Sequence, residues 1–247
     1  MIRLLRYCIF LVILSACTHH LHVSEVKASY YELKTVKNDS IALLSTLPYK
    51  EKLDKQMNQV IAYSDSALTR DGFESTLGNF VLMAVEGFVS IKLKDVPNSF
   101  VIFLNRGGLR NNLPMGNITK GNIFELMPFE NEIVILALTG QKLKEAIDGM
   151  LKENKLISLH LNIDVIDKHA ENIKVNGVPL DANRSYLIVT TDYLAMGGDN
   201  CHFFEKQDAY NGTKVKLRDA IITYCESLTK NNTHIKPLRF EQIKISK

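Results

Sequence analysis

Residues 99–131 read SFVIFLNRGGLRNNLPMGNITKGNIFELMPFEN, and this stretch decides how the rest of the chain is interpreted. Its apolar run from Phe100 to Leu104 has the length and residue types of a buried strand. Paired glycines follow Asn105, so the backbone can turn sharply there and expose its N–H groups. The guanidinium of Arg110 can bind a phosphate or carboxylate through two parallel hydrogen bonds. The sequence therefore predicts a rigid strand that ends in an anion-binding loop.

Helical and strand patterns mix irregularly on both sides of this stretch, which indicates one α+β domain with mixed β-sheets packed against helices. Ser75 or Thr76, Thr119 and Thr139 are suitable helix N-caps, and Asn176-Gly177 is a hairpin signal. The predicted helices cover residues 50–59, 74–93, 119–126, 140–152 and 215–228. The predicted strands cover residues 30–36, 60–68, 100–104, 133–138, 158–166, 173–175, 178–180, 186–191 and 238–245.

The net charge gives no support for two classes of partner. The chain has 247 residues and a net charge of +3, which is too small to indicate binding to nucleic acid or to an acidic membrane surface. The cysteines share no C-x-x-C spacing and so form no metal pattern. Cys225 has the position of a small buried hydrophobic residue, and its pairing with Cys201 in an oxidising compartment stays open.

The N-terminus has the features of an export signal. Two arginines precede the apolar run CIFLVIL at residues 8–14, which is too short to span a bilayer. The tetrapeptide LSAC at residues 14–17 resembles the bacterial lipobox, in which the cysteine is lipidated. We expect residues 1–17 to be a lipoprotein signal peptide, and lipid chains on Cys17 to anchor the exported protein to a membrane, on the periplasmic side or the cell surface. An ordinary secretory signal is the alternative, and residues 18–46 are expected to form a tether with a possible opening strand.

Three sequence blocks, spread over about 200 residues, resemble the C-terminal domain of bacterial and animal 5′-nucleotidases in residues and in order. The similarity runs from about Lys50 to the C-terminus and implies that residues 47–247 form one such domain. The blocks are Glu74-Ser75-Thr76-Leu77-Gly78-Asn79, then Asn105-x-Gly107-Gly108-Leu109-Arg110 with Asn117-Ile118-Thr119 and Pro128-Phe129-x-Asn131, and finally Tyr193-Leu194-Ala195-Met196-Gly197-Gly198-Asp199.

The resemblance implies a nucleoside site. In the family two aromatic rings sandwich the base, which places Phe129 and Tyr193 there, because every base offers a π-face for stacking. Asp199 matches an acidic residue that accepts hydrogen bonds from ribose hydroxyls, and Arg110 matches an arginine that contacts the phosphate. The predicted substrate-binding residues are Asn105, Gly107, Gly108, Arg110, Phe129, Asn131, Tyr193, Gly198 and Asp199.

Structural roles are open for the same residues. Phe129 and Tyr193 can belong to the core, Asp199 can cap a turn, and Arg110 can form a surface salt bridge. Asn105 and Asn131 can be turn stabilisers. The sequence also departs from the family pattern at several positions, which are Tyr193 in place of the more usual Phe, Asn200 and Cys201 in place of Gly and an aromatic residue, and Arg70 one position out of register with a second phosphate-binding arginine.

The complete enzymes of this family carry an N-terminal metallophosphatase domain that binds two metals. The histidines here are scattered, and Asp167-Lys168-His169 lacks the second half of a metal motif, so we predict no catalytic or metal-binding residues and no cofactor bound by this chain. The leading hypothesis is a substrate-recognition half of a 5′-nucleotidase in nucleotide catabolism, inactive alone and completed by divalent metals on a separate metallophosphatase chain. The alternatives are a non-catalytic nucleoside- or nucleotide-binding lipoprotein, and a structural domain that has lost the site.

Overall fold

The computed structural model describes residues 23, 25–31, 39–92, 100–205 and 207–246. It divides the chain into two units, residues 1–46 and 47–247. The predicted signal peptide with Cys17 lies outside the described residues, as does most of the strand predicted over 30–36. Within the described ranges, no helix has both the length and the apolar character needed to cross a membrane.

The described part of the chain folds into six α-helices and eleven β-strands. The helices are α1 (Ser40–Met57), α2 (Thr76–Lys92), α3 (Lys120–Leu126), α4 (Gly140–Lys152), α5 (Asp192–Ala195) and α6 (Leu217–Lys230). The strands are β1 (Val60–Ser64), β2 (Phe100–Asn105), β3 (Gly116–Thr119), β4 (Glu132–Thr139), β5 (Leu156–Leu159), β6 (Leu161–Ile166), β7 (His169–Val175), β8 (Val178–Pro179), β9 (Ser185–Thr191), β10 (Ala209–Lys216) and β11 (Ile243–Ser246).

A five-stranded mixed sheet with the order β10-β4-β9-β2-β5 forms the centre of the domain. Strands β2 and β9 run parallel, and the other neighbours in this sheet run antiparallel. A four-stranded sheet has the order β11-β6-β7-β8, and β1 pairs with β3. The predicted α+β class with mixed sheets is therefore confirmed.

Both faces of the central sheet are covered, which explains the continuous apolar run in β2. Phe100, Ile102 and Leu104 pack into a cluster with α2 and α6, which we call the α2–α6 core. Val101 and Phe103 point the other way and join a cluster with α4, β6 and β7, the α4 core. Every residue of β2 is consequently buried, and the strand is a rigid support for the loop that follows it.

Several local signals form as the sequence predicts. The Ser75 hydroxyl accepts a hydrogen bond from the backbone N–H of Gly78 at 3.0 Å and caps α2. Thr119 caps α3 in a reciprocal capping box with Asn122, and Thr139 caps α4. The Asn176-Gly177 turn has positive φ angles and joins β7 to β8, so the predicted hairpin is confirmed.

The single strand predicted over residues 158–166 is wrong. The backbone of His160 has a φ of +69°, which ends β5 in the central sheet and starts β6 in the smaller one. The His160 ring packs edge-on against Phe100 at 5.3 Å, and its Nε2 lies 3.0 Å from Oε1 of Glu86. These contacts hold a left-handed turn that the alternating pattern alone does not reveal.

Other boundaries also differ from the sequence prediction. Helix α1 begins at Ser40 rather than at residue 50, because the Asp39 carboxylate accepts hydrogen bonds from the N–H groups of Ile41 and Ala42. The last strand is shorter than predicted and covers only Ile243–Ser246. Strands β3 and β10 were not predicted, and most of β10 is an exposed sheet edge without an apolar alternation.

Candidate functional site

The predicted site residues meet at one edge of the central sheet. Asn105 is the last residue of β2, Asn131 immediately precedes β4, and Tyr193 follows β9. Because β9 runs parallel to β2 and antiparallel to β4, these three positions lie at the same edge. They surround a cavity of about 180 Å³ that is lined by Asn105, Gly107, Gly108, Arg110, Phe129, Asn131, Tyr193 and Asp199.

The glycine pair after β2 allows two polar side chains to approach the backbone closely. A Cβ atom at Gly107 would lie 3.1 Å from Oδ2 of Asp199, and one at Gly108 would lie 3.1 Å from Oδ1 of Asn105. Residues Arg106–Gly108 form a single 3-10 turn. Neither glycine has a positive φ, so the close packing around the cavity, rather than the turn itself, accounts for the pair.

The loop offers fewer backbone donors than the sequence predicts. The N–H of Arg106 donates to the carbonyl of Lys155 at 2.8 Å, and that of Arg110 donates to Leu126 at 2.8 Å. The N–H of Leu109 donates within the turn, to the carbonyl of Arg106 at 3.0 Å. These three N–H groups already have partners, so an anion at this loop would depend on side chains more than the glycine pair alone predicts.

Arg110 is exposed at the mouth of the cavity. Its Nη1 donates to the carbonyl of Gly107 at 3.3 Å, and the guanidinium lies 5.7 Å from the ring centre of Phe129. In the described part of the chain Arg110 forms no ion pair, so the surface salt bridge considered as an alternative is not formed there. Arg70 lines no part of the cavity; it donates to the carbonyl of Leu109 at 3.0 Å and supports the loop from outside.

The two predicted stacking rings are not core residues. Phe129 is 39% exposed and Tyr193 is 44% exposed, and both line the cavity. Large aromatic side chains lose most of their exposed area when they belong to a core. The alternative interpretation of these two rings as core residues is therefore wrong, and part of each ring is solvent-accessible.

Asp199 has a left-handed backbone conformation, with a φ of +54°. Its Oδ2 accepts a hydrogen bond from Nδ2 of Asn105, and its Oδ1 lies 3.4 Å from the Tyr193 hydroxyl. The backbone N–H of Asp199 donates to the same hydroxyl at 3.1 Å. The carboxylate is thus held by side chains rather than by the turn it was considered to cap.

Gly198 is the one predicted site residue that does not line the cavity. A Cβ atom at this position would lie 2.5 Å from Cζ and 2.5 Å from the carbonyl oxygen of Tyr193. Gly198 therefore packs against Tyr193, which lines the cavity, and its small size lets Tyr193 and Asp199 come together.

Lys155 lies beside the site, next to Asp199, and is not among the residues that the sequence predicts there. Its ammonium group pairs with Glu153 and lies 3.8 Å from Oδ1 of Asp199. The hydrogen bond to Glu153 and the charge of Asp199 raise the pKa of Lys155 against the opposing effect of burial. Its proximity to Asp199 arises from tertiary contacts, and no local sequence signal indicates it.

Arg218 was also missed, and it holds the loop that carries Phe129. It is only 5% exposed, its guanidinium lies 4.2 Å from the ring centre of Phe124, and Nη1 lies 3.4 Å from the carbonyls of Met127 and Phe129. It also forms an ion pair with Glu130. Its helical spacing of three and seven residues from the buried Ile221 and Cys225 is the signal that would have predicted its burial.

Glu130 connects the same loop to β10 through Lys216. Hydrogen bonds from Lys216 and Arg218 lower the pKa of Glu130 from 4.5 to about 2. A carboxylate with a lowered pKa in the folded protein stays charged well below neutral pH. The pairs that tie the Phe129 loop to β10 and α6 are therefore maintained in mildly acidic solution.

We expect Arg218→Met to weaken nucleoside binding by about 5-fold and to lower the free energy of unfolding by about 1–3 kcal/mol. The methionine keeps most of the side-chain volume but leaves the Met127 and Phe129 carbonyls without their guanidinium partner. Calorimetry with adenosine and urea unfolding measure the two effects. Lys216→Met, which removes only a partner of Glu130, is the control, and equal affinities in the two variants would contradict the role assigned to Arg218.

In the ranges that the structure describes, no three His, Cys, Asp or Glu side chains come together in a way that could hold a metal ion. Asp167 and Lys168 form the tight turn between β6 and β7, both with positive φ. Cys201 and Cys225 are free and buried, one in the α4 core and the other in the α2–α6 core. Burial raises the pKa of each of these thiols to about 12, so neither is a reactive thiolate at neutral pH.

Comparisons with known proteins agree with the family resemblance seen in the sequence. The family described as "5'-nucleotidase, C-terminal domain" matches residues 53–206. The trifunctional nucleotide phosphoesterase protein YfkN of Bacillus subtilis is 26% identical over 212 residues, which cover 76% of this chain and 14% of that protein. A 5′-nucleotidase of Vibrio cholerae is 23% identical over 202 residues, which cover 78% of this chain and 35% of that protein.

Among solved structures, a 5′-nucleotidase precursor from Thermus thermophilus has a TM-score of 0.71 and 23% identity, covering 84% of this chain and 43% of that one. At this identity the likeness is one of fold. The chain spans about a third or less of the length of the two relatives from Bacillus and Vibrio.

Proposed function

The chain belongs to the family of 5′-nucleotidase C-terminal domains, and from this we propose that it binds the nucleoside part of a nucleotide as the substrate-recognition half of a 5′-nucleotidase-type phosphohydrolase in nucleotide catabolism. The observation that carries the proposal is the convergence of Phe129, Tyr193 and Asp199 around one cavity of about 180 Å³. Two partly exposed rings and a carboxylate are the groups that a base and a ribose require.

Each part of a nucleotide has a matching group at this edge of the sheet. A base between Phe129 and Tyr193 would gain stacking energy of ~1–3 kcal/mol, the range found per stacked base. The Asp199 carboxylate accepts hydrogen bonds only, which suits a ribose diol that donates them. Arg110 is exposed beside the Phe129 ring and would pair with the phosphate.

The complete enzymes of the family carry a metallophosphatase domain at their N-terminus, and we propose that such a domain on a separate chain performs the hydrolytic step here. Two divalent metals on such a domain would activate water and stabilise the leaving oxygen. The residues of the chain described above bind and orient the substrate, and we assign none of them a catalytic role. We also propose that lipid chains on Cys17 hold the protein to a membrane, on the periplasmic side or the cell surface.

Calorimetry of the purified chain with adenosine and AMP, combined with assays of phosphate release with and without divalent metal, tests the proposal. We expect binding of both compounds without hydrolysis, and hydrolysis of AMP after a metallophosphatase partner is added. Binding without turnover in the presence of such partners would favour a nucleoside- or nucleotide-binding lipoprotein. Absence of binding would refute the recognition role, and metal-dependent hydrolysis by this chain alone would refute the proposed division of labour.

A further inference from the structure

The segment after α4 connects two parts of the candidate site. The N–H of Lys155 donates to the carbonyl of Met150 at 2.9 Å, and the carbonyl of Lys155 accepts from Arg106 at 2.8 Å. The backbone of Lys155 is therefore fixed both to the end of α4 and to the start of the glycine turn. From this fixed point its side chain reaches Asp199, and the distance from Nζ to Oδ1 is 3.8 Å.

The charges around Asp199 are unequal on its two sides. Lys155 approaches Oδ1, while the neutral Nδ2 of Asn105 donates to Oδ2. Glu153 pairs with the same ammonium and lies 3.5 Å from Nδ2 of Asn200, so it holds Lys155 at the side of Asp199. Lys155 does not line the cavity, and it is placed to act on a ligand through Asp199 rather than by contact.

A bound ligand would remove water from a carboxylate whose side chain is already only 23% exposed. Desolvation of an unpaired carboxylate is costly, and a neighbouring cation offsets part of that cost. The cation also restricts the orientations that the carboxylate can adopt. In the proposed site the ribose hydroxyls are the ligand groups that pair with Asp199, so both effects should act on a ligand that offers these hydroxyls.

We propose that Lys155 is a positioning residue that keeps the Asp199 carboxylate directed into the cavity, and thereby gives the site a preference for nucleosides with an intact ribose diol. This inference rests on the proposed nucleoside-binding function. It extends that function by assigning the choice between sugars to a residue outside the cavity lining.

The test compares adenosine with 2′,3′-dideoxyadenosine by calorimetry on the purified chain. We expect Lys155→Met to bind adenosine about 3- to 10-fold more weakly than the unmodified protein, as for a partly screened ion pair, and to bind the dideoxy compound equally well. Lys155→Arg should restore adenosine binding to within about 2-fold. Lys152→Met, at the exposed C-terminal end of α4, is the matched control and should bind both compounds normally.

If Lys155 has only a structural role, Lys155→Met should weaken the binding of both nucleosides alike. That result, or unchanged adenosine binding in this variant, would overturn the inference about Lys155 but not the proposed function. If the unmodified protein binds neither nucleoside, the proposed function fails together with it. Thermal unfolding of each variant checks the fold. If the methionine variant unfolds early, Lys155→Gln provides the same comparison between the two sugars.

Discussion

Phe129→Ala is expected to weaken adenosine binding by ~1–3 kcal/mol, or about 5- to 150-fold. Phe129 lines the cavity, and its side chain is 39% exposed. Among the described residues, no aromatic ring packs against it. Its loss therefore removes a stacking face without opening a hole in the core, and the stability of the protein should change little. Calorimetry with adenosine measures the affinity, and thermal unfolding measures the stability.

Met196→Ala is the control for this experiment. Met196 follows α5, is 72% exposed and does not line the cavity, so its truncation should leave the affinity unchanged. Phe129→Leu separates stacking from simple burial, because leucine fills space but has no π-face. Unchanged affinity in Phe129→Ala would rule out the stacking assignment, and equal affinity of the Leu variant and the unmodified protein would show that only apolar contact matters.

Gly198→Ala is expected to damage both the site and the fold. The added methyl group would lie 2.5 Å from the carbonyl oxygen and 2.5 Å from Cζ of Tyr193, and the carbonyl belongs to the backbone of α5. Relief of this overlap requires Tyr193 and Asp199 to move apart, which breaks their mutual hydrogen bonds. We expect a loss of about 1–3 kcal/mol in the free energy of unfolding and at least a 10-fold loss of adenosine affinity.

The same substitution in α2 provides a matched control. A Cβ atom at Gly87 would meet Tyr224 at 3.5 Å, an ordinary contact distance, and Gly87 lies in the interior of a helix. Gly87→Ala should therefore raise the free energy of unfolding by about 0.5–1 kcal/mol and leave the affinity unchanged. Urea unfolding and calorimetry on both variants decide the matter, and a Gly198→Ala protein with normal affinity would contradict the account of this glycine.

The sequence predicts most of the fold because its strongest signals are local. The helix caps at Ser75, Thr119 and Thr139 and the hairpin at Asn176 each depend on a few neighbouring residues, and all of them form. The buried strand β2 is also correct, since an apolar run needs little tertiary context. The errors lie where a distant contact decides the backbone, as at His160, whose left-handed turn is held by Phe100 and Glu86.

In the candidate site, too, the residues in local motifs were predicted and those that depend on distant contacts were not. The family resemblance selected Asn105, Arg110, Phe129 and Asp199, and the structure brings them to one cavity, although their roles in binding stay predictions. Lys155 and Arg218 were missed because their importance depends on partners that are 44 and about 90 residues away in the chain. Periodicity and short motifs carry no information about such pairs.

The placement of the cavity at the ends of three central strands has a consequence for amide hydrogen exchange. Strand β9 pairs with β4 on one side and β2 on the other, and most of its side chains are buried, with apolar members in both cores. Its amides are therefore expected to exchange only when the whole domain opens. A ligand that bridges Asn105, Asn131 and Tyr193 would dissociate in that opening. Binding should therefore slow exchange of the most protected amides of the central sheet by the factor 1 + L/Kd, where L is the free ligand concentration. Ligand binding at the cavity would then be detected as slower amide exchange in the core of the protein, and not only in the loops that contact the ligand.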